Sequence, residues 1–579
     1  MRIFLAIFLF ISLNVFAQVD LINPKQTQPK DPFFNKTVDP KTPPAEKIQL
    51  IHSDGFEKDP LQYDGNQFFS GHVQFNHQGS VLTADRVIFY KDDNFVKAIG
   101  NVVLVTSDGN RITSGEMEYD GNTQRGIARK DVVLTDPKQT IRTQTLYYDR
   151  ISNLAYFNTG GSITDGQNVM YTNSATYDLN TKFIDFVGKV KIDNAEYHID
   201  GNKIKQDQNT NTAVFSGPTT ITNKKNPANR IYTENGTYKM TEKEVYLNKN
   251  SKIFYNGKIL TGDKMYFNQN TGFGTSKGNV TLDDPKENRY IKGGYGEIYQ
   301  FKDSAMVTEK PYAVKVLQKD SIYFSAQKIL TYQKPDTSLV KKSFLRAYKK
   351  ARIFKSNVQA RTDSLSFNET DGIMHLNGAP IVWSGAKQVT GDKIDIFFDT
   401  KKEFIDSIKV IGNAFAISKA DSLNLKDEFN QIKGKLINVY YKENQVKLAK
   451  VIGNAQAITY ADNDNKKTGV LERIGVTLST CGTIEADFTN QKIQVISCNI
   501  GSNSDVYPMN KISKKQRFFP DFNWNTKDRL LKWRDIFVDS PNNPEKVYTS
   551  DDSIYQKAEA ERKKIEDKKK PKEIKREHR

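Results

Sequence analysis

Between about residue 50 and residue 500, apolar and polar positions alternate in short runs, the period-two signature of half-buried strands. The runs are separated by polar turns such as Asp92-Asp93-Asn94, Asp120-Gly121-Asn122, Asn268-Gln269-Asn270 and Asp399-Thr400-Lys401. Asn, Asp and Gly recur too often in these turns for helices. The alternation puts Val87 and Phe89 on one face together with Thr83 and Asp85. In the strands that follow the turns, Val96, Ala98, Val102 and Leu104 share a face, as do Ile184, Phe186, Val190 and Ile192.

The pattern repeats. Leu82-Thr83-Ala84-Asp85-Arg86-Val87-Ile88-Phe89-Tyr90 has copies at Ile112-Thr113-Ser114-Gly115-Glu116-Met117-Glu118-Tyr119 and Leu260-Thr261-Gly262-Asp263-Lys264-Met265-Tyr266-Phe267. A further copy is Val389-Thr390-Gly391-Asp392-Lys393-Ile394-Asp395-Ile396. Each opens with an apolar residue, Thr and a small residue, and places large apolar residues five and seven positions after the first. A second half recurs as Gly100-Asn101-Val102, Gly188-Lys189-Val190, Gly278-Asn279-Val280, Gly412-Asn413-Ala414 and Gly453-Asn454-Ala455. The period is about 28 to 32 residues, in the range of stacked arrays, which gives about a dozen strand–turn–strand units. If each unit adds one strand to each of two facing sheets, the body is roughly 60 Å long at about 4.8 Å per strand.

The inner faces are apolar throughout. They either pack shut as a sandwich core or stay splayed and leave a greasy trough, and periodicity does not choose between these. The ligand-facing candidates are the large inner residues Val87, Phe89, Met117, Tyr119, Leu146, Tyr148, Phe186, Met265, Phe267, Ile394 and Ile396. Singly each fits a core role; as a set they would line a trough.

The repeated units, each followed by its Gly-Asn-Val-like second strand, resemble the OstA/LptA-like family. Thr83 through Gly100-Asn101-Val102 and Thr261 through Gly278-Asn279-Val280 match its motifs best, and the resemblance covers roughly residues 48–500. It implies an all-β, elongated, V-shaped two-sheet jellyroll built of antiparallel repeats, with a short helical or disordered C-terminal tail. It also implies periplasmic lipopolysaccharide transport to the outer membrane, with acyl chains held between the sheets. The implied partners are lipopolysaccharide or a related anionic lipid, other transport proteins joined edge to edge by β-strand augmentation, and further copies of the chain. Nucleic acid is not among them. The chain departs from the short bridge proteins of that family in having more units and a C-terminal extension, and no long barrel region follows.

The ends fit this picture. Met1-Arg2, the apolar run Ile3 to Ile11 with Leu13, and Val15-Phe16-Ala17 form a secretory signal pattern over residues 1–17, which places the mature chain in the periplasm, possible association with the outer membrane included. Residues 18–47 are a proline-rich linker. The repeats divide into 48–300 and 301–500. Residues 501–550, with Phe518, Phe519, Phe522, Trp524 and Trp533, form an aromatic segment that caps the last repeat or docks on a partner, and 551–579 are a charged tail. The formal net charge is +17, a field that favours anions.

Chemistry is sparse. The six His residues include no pair at helical zinc spacing. There is no Gly-x-Ser-x-Gly elbow and no phosphate loop, so no catalytic residue, metal or cofactor is expected. The two cysteines, Cys481 and Cys498, flank a turn symmetric about Thr489 and Asn490, which would set them directly opposite on paired strands and let them form a disulfide. Two other classes stay open: a structural or adhesive β-repeat protein with a closed core, and a carbohydrate-active β-solenoid enzyme.

Overall fold

The computed structural model describes residues 31–35, 46–318, 320–401, 404–420, 428–443, 445–465, 470–489 and 492–539. The expected leader, most of the proline-rich linker and the charged tail lie outside the described residues. What is described is almost entirely antiparallel strand with a few short 3-10 turns. The chain divides into two compact units, 1–217 and 218–579. The expected division of the repeats at 300/301 does not coincide with this boundary.

The building element is a bent strand. Ser80–Tyr90 pairs along its length with Gln67–His77 on one side and Phe95–Val105 on the other, but both registers break midway, between Ser70 and Val73 and between Thr83 and Arg86. At these corners the backbone of the neighbouring strands turns through the left-handed region, at Gly71 and His72 and again at Gly100 and Asn101. Gly100 has φ +82°, and a Cβ there would lie 2.5 Å from Asp85 Oδ2, so glycine is required twice over. Asn101 Nδ2 donates to that same Asp85 oxygen at 2.9 Å. Asn279 repeats the bond to Asp263 at 2.9 Å, and Asn413 to Asp392 at 3.1 Å. The two recurring half-motifs are therefore one corner, with the Asp supplied by one strand and the Gly-Asn by the next.

The corner also corrects the expected strand phase. Leu82, Ala84, Val87 and Phe89 are all buried, while Asp85 is exposed and Thr83 only half-buried. The bend shifts the alternation within the strand, the flanking strands carrying the extra residue, so Thr83 and Asp85 do not lie on the inner face.

Each bent strand lays one rung in each of two facing sheets. The front sheet holds the strand halves joined by turns at 91–94, 121–124, 150–153 and 179–182. The back sheet holds those joined at 78–79, 106–110 and 136–139. A repeat thus adds two rungs to each sheet, not one. In the first unit the twelve strands from Gln67–His77 to Tyr197–Asp207 make ten rungs, because Leu154–Phe157 with Gly161–Thr164 and Val169–Thr172 with Ser174–Asp178 are rungs broken at the corner. Ten rungs at about 4.8 Å stack to roughly 50 Å. Front-sheet turns are closed by Asx bonds: Asp120, Asp178, Asp207 and Asn268 each accept from the backbone N–H groups two and three residues on.

The two sheets of each unit pack face to face. In the first unit Phe75 of the back sheet meets Phe69 and Phe89 of the front sheet at 5.6 and 5.2 Å. In the second, Phe324 of the back sheet stacks on Phe367 of the front at 6.3 Å, within a core running from Leu282 to Ile484. Each such fully buried large side chain contributes about 1.5–3 kcal/mol.

Two segments cover outer faces. In the first unit Phe33 packs edge-on against Tyr147 at 5.2 Å, and Phe34 against Phe95 at 5.5 Å. In the second unit the aromatic segment covers the last rungs and then continues back along the outer face of the back sheet. Phe518, Phe519, Phe522 and Trp524 pack on Phe415, Ile417 and Phe429; Leu530, Trp533, Ile536 and Phe537 pack on Tyr312, Val314 and Tyr323. Buried glutamines of the sheet pair with the strap's backbone much as a neighbouring strand would. Gln431 donates to Arg517 O at 2.8 Å and accepts from Phe519 N at 3.0 Å; Gln388 donates to Asn523 O at 2.7 Å and accepts from Asn525 N at 2.8 Å.

Candidate functional site

The candidate residues lie on inner faces, in rows set by strand register. In the first unit one row runs Val87, Ala98, Met117, Ala128, Leu146, and the next Phe89, Val96, Tyr119, Gly126, Tyr148, Ala155, Tyr177. The larger side chains stand on alternate rungs opposite Ala, Gly or Val, which lets facing layers interlock. Phe186 lies opposite Ala175. In the second unit Met265 is opposite Leu247 and Ser276, and Phe267 opposite Val245 and Gly274. Ile394 stands between Leu376 and Val410, and Ile396 between Met374 and Ile408. The structure thus gathers seven candidates in the first unit and two separate pairs in the second. All but Phe267, which is half-buried, are at most 6% exposed.

The long side of each unit opposite the corners is where the turns of the two sheets meet. In the first unit this mouth is closed by a polar seam. Tyr119 Oη donates to His77 Nδ1 at 2.8 Å, and His77 Nε2 donates to Glu46 O at 3.0 Å. That second bond fixes the neutral tautomer, leaving Nδ1 as the acceptor. Arg150 reaches from a front-sheet turn to Gln78 O at 2.7 Å and Ser107 Oγ at 3.3 Å. Tyr177 Oη donates to Asp136, whose other oxygen accepts from Lys138 N and Gln139 N at 2.8 Å each. Lys182 Nζ stands 3.5 Å from Asp136, and Gln208 donates to Gln139 at 2.6 Å. Burial pushes the Tyr119 hydroxyl up to about 12. It raises Tyr148 and Tyr177 too, the latter with help from Asp136, so all three are protonated donors at neutral pH. Burial lowers His77, and the Arg150 charge adds to this.

Sequence reasoning named Tyr119 and Tyr148 but gave His77 no role in a seam and missed Tyr177, Asp136, Gln139, Arg150 and Gln208. Its available signal was spacing: 148 − 119 and 177 − 148 are both 29. In the second unit the mouth is mostly apolar, with Leu317, Phe398 and Tyr441 packed on the core. Arg289 crosses it to Glu369.

The terminal rungs differ from the interior. Among the described residues, Lys492–Asn499 and Asn503–Pro508 pair only with Val470–Thr489, and Gln49–His52 and Gly55–Lys58 only with Gln67–His77. Ile496, opposite buried Ala486, is 41% exposed, and Val506 is 64% exposed. Cys481 and Cys498 are disulfide-bonded here, with Cα atoms 5.7 Å apart. They are not opposite each other, as the symmetric turn required. The register pairs Thr489 with Lys492, breaks between Asp487 and Phe488, and sets Cys498 against Ile484, while Cys481 pairs with Ala455. The turn is centred one residue later than the symmetric one, which moves the partners by two, and the bulge moves them by one more, so the bridge runs diagonally from the corner of one strand to the edge strand.

Among the described residues, no helix is long and apolar enough to cross a membrane, and no group of three or more His, Cys, Asp or Glu is placed to hold a metal ion. No curated protein matches the chain at a significant level. Residues 45–202, most of the first unit's bent-rung stack, match the family model described as OstA-like protein, so this stretch of the chain is OstA-like.

Proposed function

We propose that the protein is a periplasmic carrier that holds the acyl chains of lipopolysaccharide, or a related anionic lipid, between its two sheets, and performs no chemistry on them. The observation that carries this reading is the first unit's interior: unbroken apolar rows over ten rungs, joined by strand pairing at the corners but at the mouth only by side-chain contacts. Polar groups of such a seam can be rehydrated when it parts, so opening there costs far less than breaking the sheets. Each methylene of an acyl chain drawn in would gain about 0.8 kcal/mol. The one-sided terminal strands are templates for partners joined by strand addition, either other transport proteins or further copies of the chain. This transport route places the protein in the periplasm next to the outer membrane.

The second reading, a structural repeat protein with a shut core, is favoured by the near-complete burial of the candidate residues. One experiment separates them. A photoreactive residue replaces Leu146, 1% exposed, or outward-facing Arg142, and the protein is incubated with lipopolysaccharide. Crosslinking at 146 and not at 142 is the expected outcome. A bismaleimide joining Gln139→Cys to Gln208→Cys should abolish it. Absence of crosslinks at 146 in the unclamped protein would leave the shut core standing.

A further inference from the structure

The outward side of the front sheet in the second unit is lined with aromatic rings. Strand register lines up aromatic rings there in cross-strand contact. Tyr246 and Tyr266 lie 5.1 Å apart, Phe273 and Tyr299 5.4 Å, and Tyr332 and Phe344 5.0 Å in a stacked pair. Tyr295 and Tyr348 stand in a parallel row on the same face. All eight rings are half-buried. The hydroxyls are held by carboxylates: Tyr246 and Tyr266 both donate to Glu244 at 2.8 Å, and Tyr295 and Tyr299 to Glu297 at 3.0 and 2.6 Å. These bonds fix the rings in place.

Cations border the rings. Lys264 and Lys277 stand opposite each other on adjacent strands, and Lys277 is opposite Tyr295. Lys328 lies 5.3 Å from the centre of the Tyr348 ring, and the Arg346 guanidinium 5.3 Å from that of Tyr332. The two carboxylates keep their charge while accepting from the tyrosines, but Lys264, Lys277, Lys328 and Arg346 outnumber them, so the balance among these residues is positive.

The strap-covered face of the back sheet is built differently. It offers Phe and aliphatic side chains with buried glutamines that pair a backbone. The aromatic face has no such amide ladder among its described residues; it offers flat rings, hydroxyls and ammonium groups. That set suits a ligand with flat apolar faces, hydroxyls and negative charge.

We propose that this face binds an acidic saccharide, its pyranose rings laid on Tyr266, Phe273, Tyr299 and Tyr332, and its carboxylate or phosphate groups met by Lys264, Lys277, Lys328 and Arg346. The site lies outside the sheets and does not depend on a lipid between them.

Isothermal calorimetry on the full-length protein tests this, with polygalacturonate as the probe. Dextran, a ring polymer without acid, and polyglutamate, an acid without rings, are the comparators. Polygalacturonate should bind at least about 10-fold more tightly than either, since only it engages both rings and cations. Tyr266→Ala and Tyr299→Ala should each weaken it about 3–10-fold, and Lys264→Glu with Lys277→Glu should weaken it further. The lysines are exposed, so that variant tests the site even where an alanine variant fails to fold. Equal affinity for polyglutamate, no binding of polygalacturonate, or indifference to the lysine change would each overturn the proposal. So would tighter binding of an aromatic, proline-rich peptide at the same residues.

Discussion

The two units are built on the same bent rung, yet their sheets are held together in different ways. In the first, the mouth carries a row of tyrosines, a histidine, an arginine and paired amides that bridge turn to turn. In the second, the mouth is closed mainly by apolar side chains with the Arg289–Glu369 pair, and the back sheet is braced from outside by the strap. Apolar burial is non-directional and strong; a polar seam is directional and, once wetted, nearly neutral. The difference teaches that the repeat fixes the rung but not the fastening. The unit whose mouth can part at least cost is the first, the one that carries the family match.

Removing the strap should break the comparison most severely. Leu530 and Ile536, 1% and 0% exposed, account for about 3–6 kcal/mol between them at about 1.5–3 each. A chain ending at residue 508 should lose hydrogen-exchange protection across the second unit's back sheet while the first unit keeps its own. Equal loss in both units would show that the strap does not act locally. Trp383→Ala comes next. This ring is 1% exposed and its Nε1 donates to Asn525 O at 2.9 Å, so the change should cost about 3–5 kcal/mol, read as a lower denaturation midpoint of the second unit.

Tyr177→Phe sharpens the comparison from the other side. It removes the hydroxyl from Asp136, whose side chain is fully covered but keeps two backbone donors and Lys182 nearby. The expected cost is about 1–3 kcal/mol, confined to the first unit, with lipid uptake made easier rather than harder. The smallest effect is that of pH. Burial holds His77 below its ordinary 6.5, so its contribution is present above that value and is lost as pH falls through the lowered folded value. Protonation would take away the acceptor of Tyr119 beside the positive Arg150. Protection factors at the first unit's turns, corrected for the intrinsic pH dependence of exchange, should therefore fall below about pH 6.5, and His77→Gln should flatten that response. A second-unit mouth equally sensitive to acid would refute the assignment to His77.

The rung itself was readable in the chain, because its signals are local: Gly100-Asn101 and Asp85 recur at fixed spacing, and Val96, Ala98, Val102 and Leu104 alternate on one face as buried strand residues do. The corner was not. The bend shifts the phase within Ser80–Tyr90, so Ala84 and Val87 both face inward, and each strand runs on through both sheets, which doubles the rungs per repeat. The seam was invisible for another reason. Its partners are far apart in sequence, 42 residues between His77 and Tyr119 and 69 between Gln139 and Gln208, and nothing local marks them. The strap showed its aromatic composition, but Gln431, Gln388 and Gln359 look like ordinary polar strand positions until the chain that pairs them is in place.

The corner has one more consequence. Because a repeat of 29 residues, the Tyr119 to Tyr148 interval, carries one rung out and one back, a whole repeat can be inserted or deleted without reversing the chain's direction or exchanging its inner and outer faces. Each such step changes the stack by about 9.6 Å, twice the strand spacing. The fold is thus a ruler graduated in repeats, and its reach can be reset by duplication or loss of a single gene segment.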